Sequence, residues 1–179
     1  TEREAATIRR QVEAGVNTPA TTSAGRLLDA VSALLGVCTE RSYEGEPAMK
    51  LESAAIDGDV LDYEIPYGTR DGNQVVDVRQ FVRDLDALAG AHSAADVAAT
   101  AQWALARGLA DVAVEVADDH GVGAVGFTGG VAYNDAITRT IRDRVEAAGL
   151  DFLGHDRAPP GDGGIAYGQV AVASARFEN

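Results

Sequence analysis

Two adjacent glycines, Gly129 and Gly130, are followed four residues later by Asn134, and this spacing could serve a nucleotide. They stand between residues 122–127, an apolar run that predicts a buried strand, and a pattern that predicts a helix. Glycine lets the backbone approach a ligand closely, and the first amides of the following helix could bind an anion. Asn134 could offer a donor and an acceptor to ribose hydroxyls or a base edge. The alternative is a tight turn in which Asn134 only caps the helix.

A second glycine turn, Pro-Pro-Gly-Asp-Gly-Gly at residues 159–164, also stands between a predicted strand and a predicted helix. Its carboxylate, Asp162, could hold a divalent metal or a phosphate-bound magnesium, because oxygen ligands suit hard cations. Asp162 could equally cap the last helix, as aspartate commonly does. From these residues alone, the cap is the better interpretation.

A third segment, Thr-Ser-Ala-Gly-Arg at residues 22–26, begins a predicted helix, and Ser23 belongs to a cluster of possible helix caps. Gly25 and Arg26 could serve a phosphate, and Asp29, one turn further on, could accept a hydrogen bond from a ribose hydroxyl. The alternative is the solvated polar face of an amphipathic helix, which is the more frequent role of such charges. None of the three segments decides the function by itself.

Hydrophobic periodicity predicts the elements that position these segments, and it gives an α/β or α+β class with a β-α-β-α second half. The predicted helices lie near residues 5–12, 27–35, 46–56, 81–88, 93–118 and 137–145, with a last helix of small residues after the second turn. The predicted strands are residues 61–65 and 74–78, which form a hairpin around Asp71 and Gly72, and residues 122–127 and 152–153.

Composition limits the classes of protein to which the chain can belong. Its 179 residues, 46% of them hydrophobic, suffice for one domain with a sizeable core. No apolar run is long enough to span a membrane, and no signal-peptide pattern opens the chain. Twenty-eight acidic against 15 basic residues give a net charge of -13, which argues against nucleic-acid partners. The lone Cys38 excludes an intrachain disulfide, and we expect a structural cysteine in a cytoplasmic protein.

Four motifs in one order resemble the last domain of the hydrogenase-maturation carbamoyltransferase HypF. They are the run from Asn17 to Val31, Tyr-Glu-Gly-Glu at residues 43–46, Thr-Gly-Gly-Val with Asn134, and the segment from Pro159 to Gln169. The resemblance extends from about Arg9 to Arg176. It implies one lobe of an actin-like, ribonuclease-H-like (ASKHA) nucleotide-binding fold with added helices, in the superfamily that also contains tRNA threonylcarbamoyl transferases.

The resemblance also implies a domain organisation. Residues 1–179 would be the second lobe, with a helical segment at residues 1–56 and a ribonuclease-H-like α/β lobe at residues 57–179. The chain begins with Thr1 inside a helical pattern, and we expect a fragment that lacks its first lobe and upstream modules. Those modules include an acylphosphatase-like unit, zinc fingers and a carbamoyl-adenylate-forming unit. We therefore expect the isolated chain to be inactive.

The function that the resemblance implies is carbamoyl transfer for [NiFe] hydrogenase maturation. Members of this family use carbamoyl phosphate and ATP, form carbamoyl adenylate, and carbamoylate the C-terminal cysteine of HypE. The family pattern places a divalent metal at Asp162. It also places Asp29 and Gly45 or Glu46 against the nucleoside, and Gly129, Gly130 and Asn134 at its phosphates and ribose. Together with Ser23, Gly25, Arg26 and Gly163 from the same segments, these make up the ten residues that we predict to bind the nucleotide.

Some family features are missing from the chain, and two other functions remain open. The family metal also needs a His-x-x-x-His pair, whereas His92, His120 and His155 are scattered and predicted to be solvated or to cap helices. One alternative is a lobe of a tRNA threonylcarbamoyl transferase or of a small-molecule O-carbamoyltransferase. The other is a non-catalytic module that only docks a partner protein.

Overall fold

The computed structural model describes residues 1–177, which form seven α-helices, one short 3-10 helix and four β-strands. The α-helices are α1 (Glu2–Glu13), α2 (Ala24–Leu34), α3 (Glu46–Ala54), α4 (Val78–Ala89), α5 (Ala94–His120), α6 (Asp135–Ala147) and α7 (Gly163–Phe177). The strands are β1 (Tyr67–Arg70), β2 (Asn73–Val76), β3 (Ala124–Gly126) and β4 (Asp151–Leu153), and the 3-10 helix is Gly130–Tyr133.

The hydrophobic core surrounds α5, against which α2, α3, α4 and α6 all pack. Helix α5 begins at a side-chain cap, where Ser93 accepts a hydrogen bond from the Asp96 amide, and ends at Gly121 in the left-handed conformation. Leu51, Phe81 and Ile137 come from three different helices and are completely buried against it. The predicted helices therefore all form, and five of them share one core.

The two strand pairs differ in direction. β3 and β4 pair in parallel, with Val125 opposite Phe152, and α6 forms the crossover between them. β1 and β2 form an antiparallel hairpin closed by Asp71 and Gly72, both of which have positive φ. The predicted β-α-β order of the second half is confirmed.

The prediction of a strand at residues 61–65 is wrong, because the first hairpin strand lies at Tyr67–Arg70. A two-residue turn pairs only the residues that directly flank it, which fixes the register of the hairpin. Residues 61–65 instead lie along α5: the Leu61 amide donates to Thr100 Oγ1, and Ile65 is buried against Gly108. The alternating apolar pattern there reflects packing on a helix.

The prediction that residues 122–127 form a buried strand is also wrong in part. The strand covers only Ala124–Gly126 and is half-buried, and Val122 is exposed. A two-stranded sheet has few neighbours to cover its faces, so its apolar residues remain partly open to solvent.

Two helices bury nothing within the described part of the chain. Neither α1 nor α7 contains a buried residue, although both carry large apolar side chains. None of the helices described is both long enough and apolar enough to cross a membrane. Cys38 is buried and its Sγ–H contacts the Glu40 carbonyl.

Candidate functional site

The two glycine turns lie side by side because they follow paired parallel strands. The Gly129 amide donates to the Pro160 carbonyl over 2.8 Å, and Thr128 Oγ1 donates to the same carbonyl over 3.2 Å. One backbone oxygen of the second turn thus holds two donors of the first. The structure brings these distant segments together at the carboxyl edge of the small sheet, where ligands commonly bind in open α/β sheets.

Close contacts with Tyr133 and with the Pro159 carbonyl make glycine necessary at two positions of the second turn. A Cβ on Gly161 would lie 2.7 Å from Tyr133 Cε2, and a Cβ on Gly164 would lie 2.5 Å from the Pro159 carbonyl oxygen. Contacts this short cannot form without moving the ring or the backbone. The two turns therefore pack closely, and the glycines allow it.

The first turn leaves two backbone amides free. Gly129 has φ +100°, which side chains rarely tolerate, and the place where a Cβ of Gly130 would stand is open. The amides of Gly130 and Val131 donate to no other residue that the structure describes. Free amides beside an open surface are a feature of anion-binding turns.

Helix α2 joins this surface at its start. Gly25 packs beside Val131: a Cβ on Gly25 would lie 3.8 Å from Val131 Cγ2. Ser23 caps the helix, because its hydroxyl oxygen accepts a hydrogen bond from the Arg26 amide. Arg26 forms a 2.9 Å ion pair with Asp29. The other carboxylate oxygen of Asp29 is buried and has no partner among the described residues, so a hydrogen-bond donor is missing there.

Asn134 lies at the junction of the first turn and α6, and both ends of its side-chain amide are engaged. Its Oδ1 accepts from the Ile137 amide at 2.9 Å, and its Nδ2 donates to Gln102 Oε1 at 2.6 Å. The residue is only 7% exposed. Asn134 therefore caps α6 in this structure, and its contact with a ribose stays a prediction.

The start of α6 is less available to an anion than its sequence predicts. Glu52 Oε1 accepts from the Asp135 amide at 3.0 Å, and Asn134 occupies the Ile137 amide. Burial raises the pKa of Glu52 by more than the hydrogen bond from the Asp135 amide lowers it. Of the first three amides of α6, that of Ala136 alone donates to no described residue, so the expectation that this helix offers unpaired amides is met at one position. The free amides identified above belong to the 3-10 helix.

Gly45 and Glu46 are held by neighbours other than the glycine turns. Gly45 adopts the left-handed conformation at the start of α3, and Glu46 is buried. The Glu46 carboxylate accepts from the amide and hydroxyl of Ser42 and pairs with Lys50 at 2.8 Å. The Lys50 hydrogen bond, followed by those of Ser42, lowers the pKa of Glu46 to about 2. No described hydrogen bond joins these two residues to the turns.

The second turn carries the predicted metal ligand at the start of α7. Asp162 is exposed, and its carboxylate makes no hydrogen bond with a described residue, so it does not cap α7. Gly163 packs against the Pro159 ring. Residues 1–177 contain no group of three side chains able to hold a metal ion, and a single carboxylate does not make up such a site.

Sequence reasoning missed two residues at this edge. His155 Nε2 lies 2.8 Å from Thr128 Oγ1, so this histidine bridges the segment after β4 to the first turn. Gln102 is buried in α5 and holds Asn134. The sequence signal that could have indicated Gln102 is a polar residue on the apolar face of a helix. The only signal for His155 was its position shortly after a predicted strand.

A parallel β-α-β unit whose strand ends carry closely packed glycine turns defines one lobe of a nucleotide-binding α/β fold. Comparisons with known proteins agree. Residues 1–169 match the family model described as the carbamoyltransferase Kae1-like domain, second subdomain. The chain is 37% identical to the "Probable carbamoyltransferase HypF" of Methanocaldococcus jannaschii over 94% of its length.

Solved structures give the same result. The crystal structure of T. kodakarensis HypF is 41% identical, covers 98% of this chain and has a TM-score of 0.83. A crystal structure of full-length HypF in the phosphate- and nucleotide-bound form is 27% identical, covers 100% of this chain and has a TM-score of 0.86. The chain therefore belongs to the family of second subdomains of the HypF Kae1-like carbamoyltransferase domain. It spans 22% of the M. jannaschii protein and 23% and 24% of the two crystallised chains.

Proposed function

We propose that this chain is the nucleotide-facing lobe of an ATP-dependent carbamoyltransferase that serves [NiFe] hydrogenase maturation. The observation that carries the proposal is the packing of two glycine turns at one sheet edge, with the amides of Gly130 and Val131 left free. The family to which the chain belongs supports it, and so does the similar full-length HypF structure in a phosphate- and nucleotide-bound form.

In this proposal, backbone groups bind the phosphates and side chains of α2 bind the nucleoside. The free amides of Gly130 and Val131 donate to phosphate oxygens, as at other anion-binding turns. Asp29 has a buried oxygen without a donor, and a ribose hydroxyl is a donor that could satisfy this carboxylate. Arg26, paired with Asp29 and exposed, provides a positive charge at the same place.

In the reaction that we propose, water releases phosphate from carbamoyl phosphate to give carbamate. A carbamate oxygen then attacks the α-phosphorus of ATP, so that carbamoyl adenylate forms and pyrophosphate leaves. The C-terminal cysteine thiolate of a HypE-type partner attacks the carbamoyl carbon, a new C–S bond forms, and AMP leaves with the electrons of the broken C–O bond. Cys38 is not the nucleophile because it is buried. We further propose Asp162 as one ligand of a divalent metal whose other ligands come from outside the described residues, and a cytoplasmic location.

The two other candidate functions receive less support. A net charge of -13 disfavours tRNA as a partner, because phosphates are repelled by a negative surface. A module that only docks a partner would not need free amides at an open glycine turn. We therefore keep the carbamoyltransferase as the conclusion.

Substitution of Gly130 tests the proposal by adding a methyl group to a residue whose amide is free. Because nothing described lies near that position, Gly130→Ala should fold normally but lower ATP affinity about tenfold, the value of one good hydrogen bond. Gly123→Ala is a matched control, since Gly123 is equally open and lies at the opposite end of β3.

Isothermal titration of ATP into protein that contains both subdomains measures this effect. Equal affinities for the two variants and the wild type would contradict the proposed phosphate site. Mass spectrometry of the partner's C-terminal peptide tests the transfer in the full-length protein, which includes the carbamoyl-adenylate-forming unit. An uncarbamoylated cysteine after incubation of that protein and the partner with ATP and carbamoyl phosphate would contradict the proposed reaction.

A further inference from the structure

A buried pair of side-chain amides connects the first glycine turn to the core. Gln102 of α5 is 1% exposed and Asn134, directly after the 3-10 helix, is 7% exposed. Asn134 Nδ2 donates to Gln102 Oε1 over 2.6 Å. Gln102 Nε2 donates to the Ala98 carbonyl over 3.2 Å and lies 3.5 Å from the Leu51 carbonyl of α3.

Backbone groups at both ends of this chain of bonds fix its direction. The Ile137 amide can only donate, so Asn134 must present Oδ1 to it and Nδ2 to Gln102. Gln102 must then present Oε1 to Asn134, which leaves Nε2 for two carbonyls that can only accept. One arrangement satisfies every partner, and rotating either amide by 180° would leave donors facing donors and acceptors facing acceptors.

Packing alone does not explain a glutamine at this position. A methionine has a similar length and would fill the same volume without needing hydrogen-bond partners. Buried amides cost free energy unless every polar atom is paired, which is the condition met here. The Gln102–Asn134 pair therefore fixes the orientation of both side-chain amides at the place where α5 meets the start of α6.

The same junction is held from α3. Glu52, next to Leu51, accepts from the Asp135 amide at 3.0 Å, so α3 and α5 both hold the residues where the turn becomes α6. The backbone amide of Asn134 donates to the Val131 carbonyl at 3.0 Å. Movement of Asn134 would thus be transmitted directly to the 3-10 helix that carries the free amides.

We propose that Gln102 is a positioning residue for the phosphate-binding turn: through Asn134 it sets the orientation of the Gly130 and Val131 amides. This inference rests on the proposed function and deepens it, because it assigns a role in phosphate recognition to a residue that lies in the core. The residue acts on the triphosphate end of the ligand and leaves the nucleoside end unaffected.

The test compares ATP with adenosine, which lacks the phosphates, in protein that contains both subdomains. Gln102→Met removes the bonds and keeps the length of the side chain. It should lower ATP affinity about tenfold and change adenosine affinity little, so the ratio of the two affinities falls. Gln80→Met is the control, because Gln80 is exposed on α4 and, among the described residues, its side chain bonds Asp84 alone.

Asn134→Ser provides a second variant that does not depend on tolerance of methionine in the core. Serine still caps α6 but is too short to reach Gln102, so the ATP-to-adenosine ratio should fall as in Gln102→Met. The double variant should lose no more than either single variant, because both remove the same bond.

An unchanged ratio would overturn the inference, even if melting temperatures fall, because a purely structural role lowers stability without discriminating between the ligands. If Gln102→Met does not fold, an unchanged ratio in Asn134→Ser overturns the inference and a lowered ratio supports it. A wild-type protein that binds neither ligand would overturn the proposed function and this inference with it. Wild-type binding combined with unchanged ratios overturns the inference alone.

Discussion

Two strand–turn–helix units lie side by side in the molecule, and their helices have opposite environments. In the β3–α6 unit, Ile137, Ile141 and Val145 are buried, and the first turn of the helix is capped. In the β4–α7 unit, no helical residue is buried, and Ile165 is 59% exposed. Both helices follow a glycine turn at the same sheet edge, so the turns do not account for the difference.

The difference follows from how the apolar residues are distributed around each helix. In α6 they occupy one face, and that face is covered by α5. In α7 the large exposed apolar side chains project in several directions around the axis, at Ile165, Tyr167, Val170, Val172 and Phe177. A helix that is apolar on all sides is typically buried in a larger protein.

The largest effect should come from the same substitution made in each helix. Ile137 is completely buried, so Ile137→Ala should lower the free energy of unfolding by about 2–5 kcal/mol. Ile165→Ala should change it by less than about 0.5 kcal/mol, because that side chain is already in water. Urea denaturation of the chain measures both, and similar losses for the two variants would break the comparison.

A smaller effect is expected at the helix starts. Asn134→Ala removes the cap of α6 and leaves Gln102 Oε1 buried without its donor, and should lower the free energy of unfolding by about 1–3 kcal/mol. Asp162→Ala should change it by less than about 0.5 kcal/mol, because Asp162 makes no hydrogen bond with a described residue. The same denaturation experiment decides this, and a large loss for Asp162→Ala would show that α7 is capped after all.

The smallest effect concerns pH and Glu52, which holds the start of α6. Burial raises the pKa of Glu52 above its ordinary value of 4.5, so the folded state keeps this proton more tightly than the unfolded state. The contribution of Glu52 to the free energy of unfolding is therefore fully present below pH 4.5, and it is lost as the pH rises through the raised pKa. Glu52→Gln keeps an acceptor for the Asp135 amide and does not titrate.

Denaturation series at several pH values measure this difference. Relative to Glu52→Gln, the wild type should be less stable at pH 7 than at pH 4. A difference between the two proteins that stays constant across this range would contradict the assignment.

Local patterns were sufficient to predict the turns but not their neighbours. The two glycine turns, at residues 129–130 and 159–164, interrupt apolar segments, and each turn was predicted to follow a strand. The hairpin turn at Asp71 and Gly72 was also predicted, yet one of its strands was placed too early. Residues 61–65 alternate like a strand, and only their contact with Thr100, 39 residues from Leu61, gives them another partner.

The candidate site shows the same limit. Gly25, Gly129 and Gly130 were predicted as site residues from residue type and spacing, and the structure brings Gly25 into contact with Val131 of the 3-10 helix. Gln102 and His155 were not identified, because their roles depend on Asn134 and Thr128, which lie 32 and 27 residues away in the sequence. Glu46 was predicted to face the nucleoside, and the sequence did not indicate its bonds to Ser42 and Lys50.

The sequence by itself determined the helices, the glycine turns and the family resemblance, since these depend on side-chain periodicity, backbone freedom and residues close together in the chain. Only the tertiary structure decided which amides stay free, which polar side chains are paired in the core, and which apolar helix remains uncovered. Hydrogen bonding and burial are set by the atoms nearest in space. For this molecule many of those atoms belong to residues far apart in the chain.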